Sequence, residues 1–130
     1  MRVILFRGKR EDNGRLIQGD YQHFHIENDI YVYIGRWGEE MRSVKPETVG
    51  QFTGLTDKNG TKIFEGDIVT FPFDEFNPCA KFKIEWVGAE FCAVHIEGKP
   101  CVWTIRVTDY ADQMDIIGNI HDNPELLEEV

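Results

Sequence analysis

Histidine is the first residue type to weigh. His23 and His25 are separated by one residue, so on a strand both rings project from the same face. Asp20 or Glu27 could join them, but a zinc ion wants three or four converging ligands, and no third strong donor is suitably spaced. No metal site is therefore expected. Cys92 and His95 are three apart, which puts them on opposite faces of a strand and argues against a shared role. A thiol–imidazole pair across strands, Cys101 with His95, is formally open, but buried inert thiols are the ordinary fate of cysteine. The carboxylate pairs Glu39-Glu40, Asp74-Glu75 and Glu128-Glu129 fall in expected loops or the tail, where solvation explains them. There is no P-loop and no G-x-G-x-x-G. The residues name no catalytic group and no cofactor.

Binding chemistry is better represented. Tyr31, Tyr33, Arg36, Trp37 and Arg42 combine aromatic rings with guanidinium groups, the pairing that stacks bases or anchors a protein partner. The plainer alternative has both tyrosines covering a core face. Arg2, Arg7, Lys9, Arg10 and Arg15 face only Glu11 and Asp12 in the first fifteen residues. Arg7, Lys9 and Arg10 would be the heart of an anion or phosphate site there; a solvated hairpin is the alternative.

Charge separates the halves. Residues 1–65 carry ten acids and ten bases, whereas residues 66–130 carry thirteen acids and four bases, so the whole net charge of -9 lies in the second half. Such a surface repels phosphate backbones and disfavours ordinary nucleic-acid binding there. An odd cysteine count without C-x-x-C points to reduced thiols, and the opening has only four consecutive apolar residues. The expectation is a cytoplasmic protein that does not enter a membrane.

The elements that position these side chains are mostly strands. Hydrophobic content of 42% suffices for a core, and 130 residues suit one domain. Asn13-Gly14 and Asn59-Gly60 read as hairpin turns, since both residues tolerate positive φ. Strands are expected at 3–7, 16–24, 30–34, 49–53, 61–65, 67–72, 80–87, 91–96, 102–108 and 116–120, with 35–40 a loop. Their spacing suits a small barrel or sandwich. Tyr110–Met114 is expected to make a helical turn. Asn123 should cap a terminal helical stub, with Pro124 first and Leu126 and Leu127 docking.

Two segments echo each other. Phe6-x-Gly8, Asn13-Gly14 and Gly19-Asp20 match Phe52-x-Gly54, Asn59-Gly60 and Gly66-Asp67. Duplication is one reading and convergence of turn chemistry the other. The turn residues Gly54, Asn59, Gly60, Gly66, Asp67, Gly118 and Asn119 are read as structural, with Asp67 bonding backbone amides across its bend.

The run Gly50-Gln51-Phe52-Thr53-Gly54-Leu55, Asp57-Lys-Asn-Gly60 and Ile63-Phe64-Glu65-Gly66-Asp67-Ile68 resembles the YopX family signature. So do the opening Phe6–Lys9 with Asn13-Gly14, and the close Ile117–Leu127. The resemblance implies a phage or prophage protein of uncharacterised activity, with an SH3-like barrel in its later part. It supplies no catalytic residues. The expected architecture is mainly β. An N-terminal β-hairpin lobe over residues 1–46 precedes an SH3-like small β-barrel over 47–123 and a helical stub over 124–130. The expected function is a non-catalytic protein-interaction module, binding another protein or associating with itself as a homo-oligomer. The alternative is a nucleic-acid-directed role, through the basic opening or through an acidic half that mimics DNA. Enzymatic activity has no constellation to carry it.

Overall fold

The computed structural model describes residues 4–36, 40–75, 78–96 and 104–127, and the chain divides into two units, Met1–Phe52 and Thr53–Val130.

The first unit is an antiparallel sheet. Its strands are β1 (Phe6–Lys9), β2 (Leu16–Ile26), β3 (Asp29–Gly35), β4 (Met41–Val44) and the start of β5 (Gly50–Thr56). Their order is β4-β3-β2-β1-β5. The β-branched and aromatic run Ile30–Ile34 makes β3 a strong strand, and its alternation buries Val32 and Ile34. Val32 lies opposite Val44, and with Ile34 these form the core, flanked by Phe6, Ile17 and Val49. β4 was not expected. Met-Arg-Ser-Val has little strand signal of its own and is organised by the edge of β3.

β2 and β3 outrun their neighbours. β1 pairs with β2 only as far as Gly19, and β4 pairs with β3 only as far as Val32. Beyond those points the hairpin continues to Ile26 opposite Asp29. Phe24, Ile26, Ile30 and Tyr31 on this arm are exposed.

The second unit holds the rest of β5, β6 (Lys62–Phe64), β7 (Asp67–Thr70), β8 (Phe82–Val87), β9 (Glu90–His95), β10 (Thr104–Arg106), a four-residue helix α1 (Val107–Tyr110) and β11 (Asp115–Asn119). Five of these strands form an antiparallel sheet ordered β10-β9-β8-β7-β11. Ile63, Val69, Phe71, Phe82, Ile84, Ala93, Val107 and Met114 make its core. Truncating a side chain as buried as Ile84 would cost about 2–5 kcal/mol. Val107, expected within a strand, instead starts α1, so β10 stops at Arg106. Among the described residues the outer strands β10 and β11 do not pair, and the sheet is open.

Both Asn-Gly pairs lie at turns, as expected. Only the glycines take positive φ, 69° at Gly14 and 81° at Gly60. Asn13 instead uses its side chain, whose Oδ1 accepts the Arg15 amide at 2.9 Å. The two turns differ from each other. Gly14 N–H donates to the Arg10 carbonyl, four residues back, and Gly60 N–H to Asp57, three back.

The last described element is a 3-10 turn, Pro124–Leu127. Asn123 stands at its start, where its carbonyl accepts the Leu126 amide at 3.0 Å, and its Oδ1 accepts the Asn119 amide at 3.2 Å. Leu126 is half-buried beside Gly118, while Leu127 is exposed. Among the described residues, no helix is long and apolar enough to cross a membrane.

Candidate binding cleft

The second unit carries an apolar cleft of about 370 Å³ lined by Phe71, Phe73, Asp74, Phe82, Ile105, Tyr110 and Gln113. Its floor follows from the core. Phe71 leaves β7 and Phe82 opens β8, and their rings meet edge to face at 5.1 Å. Ile105 packs on the same core from β10. Its rim does not follow from the core: Phe73 is 70% exposed, and Tyr110, at the end of α1, is also exposed. Fully burying a benzyl side chain is worth about 1.5–3 kcal/mol, most of which Phe73 forgoes. The sequence signal for this site is Phe-Pro-Phe at 71–73, two aromatics locked around a proline, which the motif reading passed over.

The expected binding residues are not gathered in one place. Tyr31 and Tyr33 share a face of β3, where the Tyr33 ring meets Phe24 at 5.9 Å. Arg42 pairs in register with Ile34 and so lies on the opposite face, ion-paired with Glu40. Arg36 follows β3 and is exposed. Trp37 lies outside the described residues.

Nor do the basic residues converge. Alternation puts Arg7 and Lys9 on one face of β1, and Arg7 is buried. Arg10, beyond the strand, clasps Asp12 through Nε to Oδ1 at 2.8 Å and Nη2 to Oδ2 at 2.5 Å. That hydrogen bond raises the Arg10 pKa and lowers that of Asp12. A hollow of about 390 Å³ beside it is lined by Glu11, Asp12, Met41, Arg42 and Ser43. Two of its charged lining residues are ion-paired with residues outside it, Asp12 with Arg10 and Arg42 with Glu40.

The turn residues form a hydrogen-bonded framework. Asp57, whose role the turn motif does not reveal, is buried. Its Oδ1 accepts the amides of Asn59 and Thr61 at 2.9 Å each, and its Oδ2 that of Ile116 at 3.2 Å. Asn59 Nδ2 donates to Asp115 at 3.0 Å. Asp67 accepts the buried Phe64 amide across Gly66, whose φ is 94°. Asn119 Oδ1 accepts the amides of His121 and Asp122. Gly118 follows a bulge, where a Cβ would lie 2.6 Å from Asn123 Oδ1. Gly54 has a φ of 91° and open space around it.

Among the described residues, the groups that could do chemistry form no larger cluster. The His23 and His25 rings stand 5.4 Å apart on one face of β2. Among the described residues no cluster of three or more histidines, cysteines or carboxylates could hold a metal. Cys79 is exposed and Cys92 buried, while Cys101 lies outside the described residues. Cys92 pairs with Glu85 and His95 with Phe82, so the two face opposite ways. Burial, then the charge of Glu90, pushes the Cys92 thiol up.

Two antiparallel sheets, with buried carboxylates that accept backbone amides at their turns, define a mainly β protein. The chain belongs to the YopX protein family, whose pattern it matches over residues 5–128. Two solved structures are similar. Protein EF1440 from Enterococcus faecalis is 27% identical with a TM-score of 0.57, covering 98% of this chain and 100% of that one. Protein yopX from Bacillus subtilis is 13% identical with a TM-score of 0.50, covering 100% of this chain and 99% of that one. No curated protein matches the chain.

Proposed function

We propose that this protein is a small non-catalytic interaction module that holds another protein through the cleft of its second unit. The observation that carries the reading is Phe73, an aromatic ring 70% exposed beside an apolar floor. Aromatic anchors with an apolar pocket beneath them are the energetic centres of protein interfaces. The strand order supports a finer reading. A four-strand meander, β7 to β10, whose first strand takes a fifth on its free edge after a helical turn, is the strand order an SH3-like barrel would need, and it supports that reading. We further place the protein in the cytoplasm of a bacterial host, encoded by a phage or prophage. The free thiols Cys79 and Cys92 suit that reducing compartment.

The test is site-directed photo-cross-linking in a bacterial lysate with a benzophenone at position 73 and, separately, at the exposed position 47. A discrete adduct from position 73 alone, abolished by Tyr110→Ser, supports the reading. Identical labelling from both positions sinks it.

Self-association belongs to the same proposal and is favoured by the exposed Phe24, Ile26, Ile30 and Tyr31 on the β2–β3 arm. Sedimentation from 5 to 500 μM (about a hundredfold range, chosen to span weak association) decides it, and a strictly monomeric protein removes it.

A second reading has the acidic unit occupy a host DNA-binding protein in place of DNA. Six bases against fifteen acids in residues 53–130 favour it. Such association would weaken steeply with salt, and salt-insensitive binding would exclude it.

A further inference from the structure

We infer that the occupant of the second unit's cleft is an extended, proline-bearing, basic segment of a partner protein; the inference rests on the interaction-module reading and deepens it. Three observations on this unit point the same way.

The first is the shape of the apolar surface. Phe71, Phe82 and Ile105 form a floor, and the Phe73 and Tyr110 rings stand at its rim from separate segments. The cleft's volume of about 370 Å³ holds two or three side chains, not a helix. Aromatic-lined grooves of this kind suit a polyproline II ligand, whose rings lie flat on aromatic faces and which is already extended before it binds.

The second is charge. Asp74 lines the cleft, and the exposed Asp109 and Asp112 flank Tyr110 in the chain. The unit as a whole has fifteen acids and six bases. A ligand carrying arginine gains long-range attraction, and its guanidinium can stack on Tyr110 or Phe73. A phosphate-bearing ligand meets the opposite field.

The third is the hydrogen-bond supply. Gln113 is exposed at the rim and offers both a donor and an acceptor. The prolines of such a segment lack amide donors but keep their carbonyls, which a glutamine amide can satisfy.

The experiment is a titration of the full chain, ¹⁵N-labelled, with a ten-residue peptide of alternating prolines and arginines. Control peptides replace every arginine by glutamate or every proline by glycine, and a thymidine oligonucleotide is a third control. The expected result is chemical-shift change confined to residues 71–74, 82, 105 and 110–113. Affinity should fall at least tenfold in the glutamate control and at least tenfold in Phe73→Ser and in Tyr110→Ser. Both substituted side chains are exposed, so these variants keep their folds, which the unperturbed spectrum verifies. No shift change at millimolar peptide overturns the inference, as does stronger binding by the oligonucleotide. Equal binding by all peptides, still lost in Phe73→Ser, overturns the ligand class but leaves the interaction-module reading standing. The photo-cross-linking result judges that reading separately.

Discussion

The carboxylate of Asp67 accepts the amide of Phe64 at 2.7 Å, fully inside the second unit, across the left-handed bend at Gly66. The two-residue connection Glu65-Gly66 is thus closed by a side chain, and that carboxylate aims β6 into β7.

Removing that carboxylate should be expensive. Asp67→Ala leaves the buried Phe64 amide without this acceptor, a loss of about 1–3 kcal/mol. For a unit of this size each kcal/mol lowers Tm by about 4–8 °C. Calorimetry should show the fall, with Asp67→Asn losing less because its carbonyl still accepts. An unchanged Tm in Asp67→Ala would remove the carboxylate from its structural role.

Gly8 and Gly54 occupy equivalent places in the two echoing motifs, yet for different reasons. A Cβ at Gly8 would lie 2.9 Å from Ile34 Cδ1 and 3.2 Å from Val44 Cβ. At Gly54 nothing lies within 4 Å, but φ is 91°. Gly8→Ala should cost about 1–3 kcal/mol by overpacking. Ile34→Val, which deletes the clashing methyl, should recover part of that cost. Gly54→Ala should cost about 1–2 kcal/mol by torsion, and Gly54→Asn less. A double-mutant cycle in urea measures both, and an Ile34→Val rescue of Gly54→Ala would contradict this account.

The same pair shows what the sequence could and could not convey. Alternation and turn residues located most strands, because a period of two and an Asn-Gly pair are local signals. The motifs around Asp57 and Asp67 were visible as turns for the same reason. β4 was illegible, since Met41–Val44 is a strand only because β3 presents an edge to it. The cleft was illegible too. Phe73 and Tyr110 are far apart in the chain, and only the sheet order brings them to one rim. Arg10 looked available because a sequence does not show that Asp12 holds it.

That pairing has a titration signature. The Arg10 hydrogen bond keeps the Asp12 carboxyl below the ordinary value of 3.8. Its contribution to stability is thus present above that value and is lost as pH falls through the lowered one. Exposure keeps the contribution small. Carbon-detected NMR should find Asp12 titrating low, and Arg10→Gln should return it to the ordinary range. A normal Asp12 titration in the unsubstituted protein would show that the pair is open in solution.

Thiol reactivity should separate the described cysteines. Cys79 is exposed and Cys92 buried, and burial raises the Cys92 pKa above the ordinary 9.0. Native alkylation followed by peptide mass mapping should label Cys79 at least tenfold faster than Cys92, with the difference vanishing in urea. The sign for stability is alkaline: the contribution of a neutral Cys92 is full below pH about 9 and lost as pH rises through its raised value. Cys92→Ala should flatten that alkaline loss. Equal labelling rates in the native protein would show that β9 opens readily.

The β2–β3 arm carries a constraint on descent. Its pairs run without a break from Asp20 opposite Gly35 to Ile26 opposite Asp29, while flanking strands grip only its base. A single inserted residue in one strand would turn every side chain beyond it to the other face. One residue added to each strand at the tip leaves all the pairs behind it untouched. Relatives should therefore vary this arm by matched steps, growing or shrinking it like a zipper, while the residues at its root keep their count.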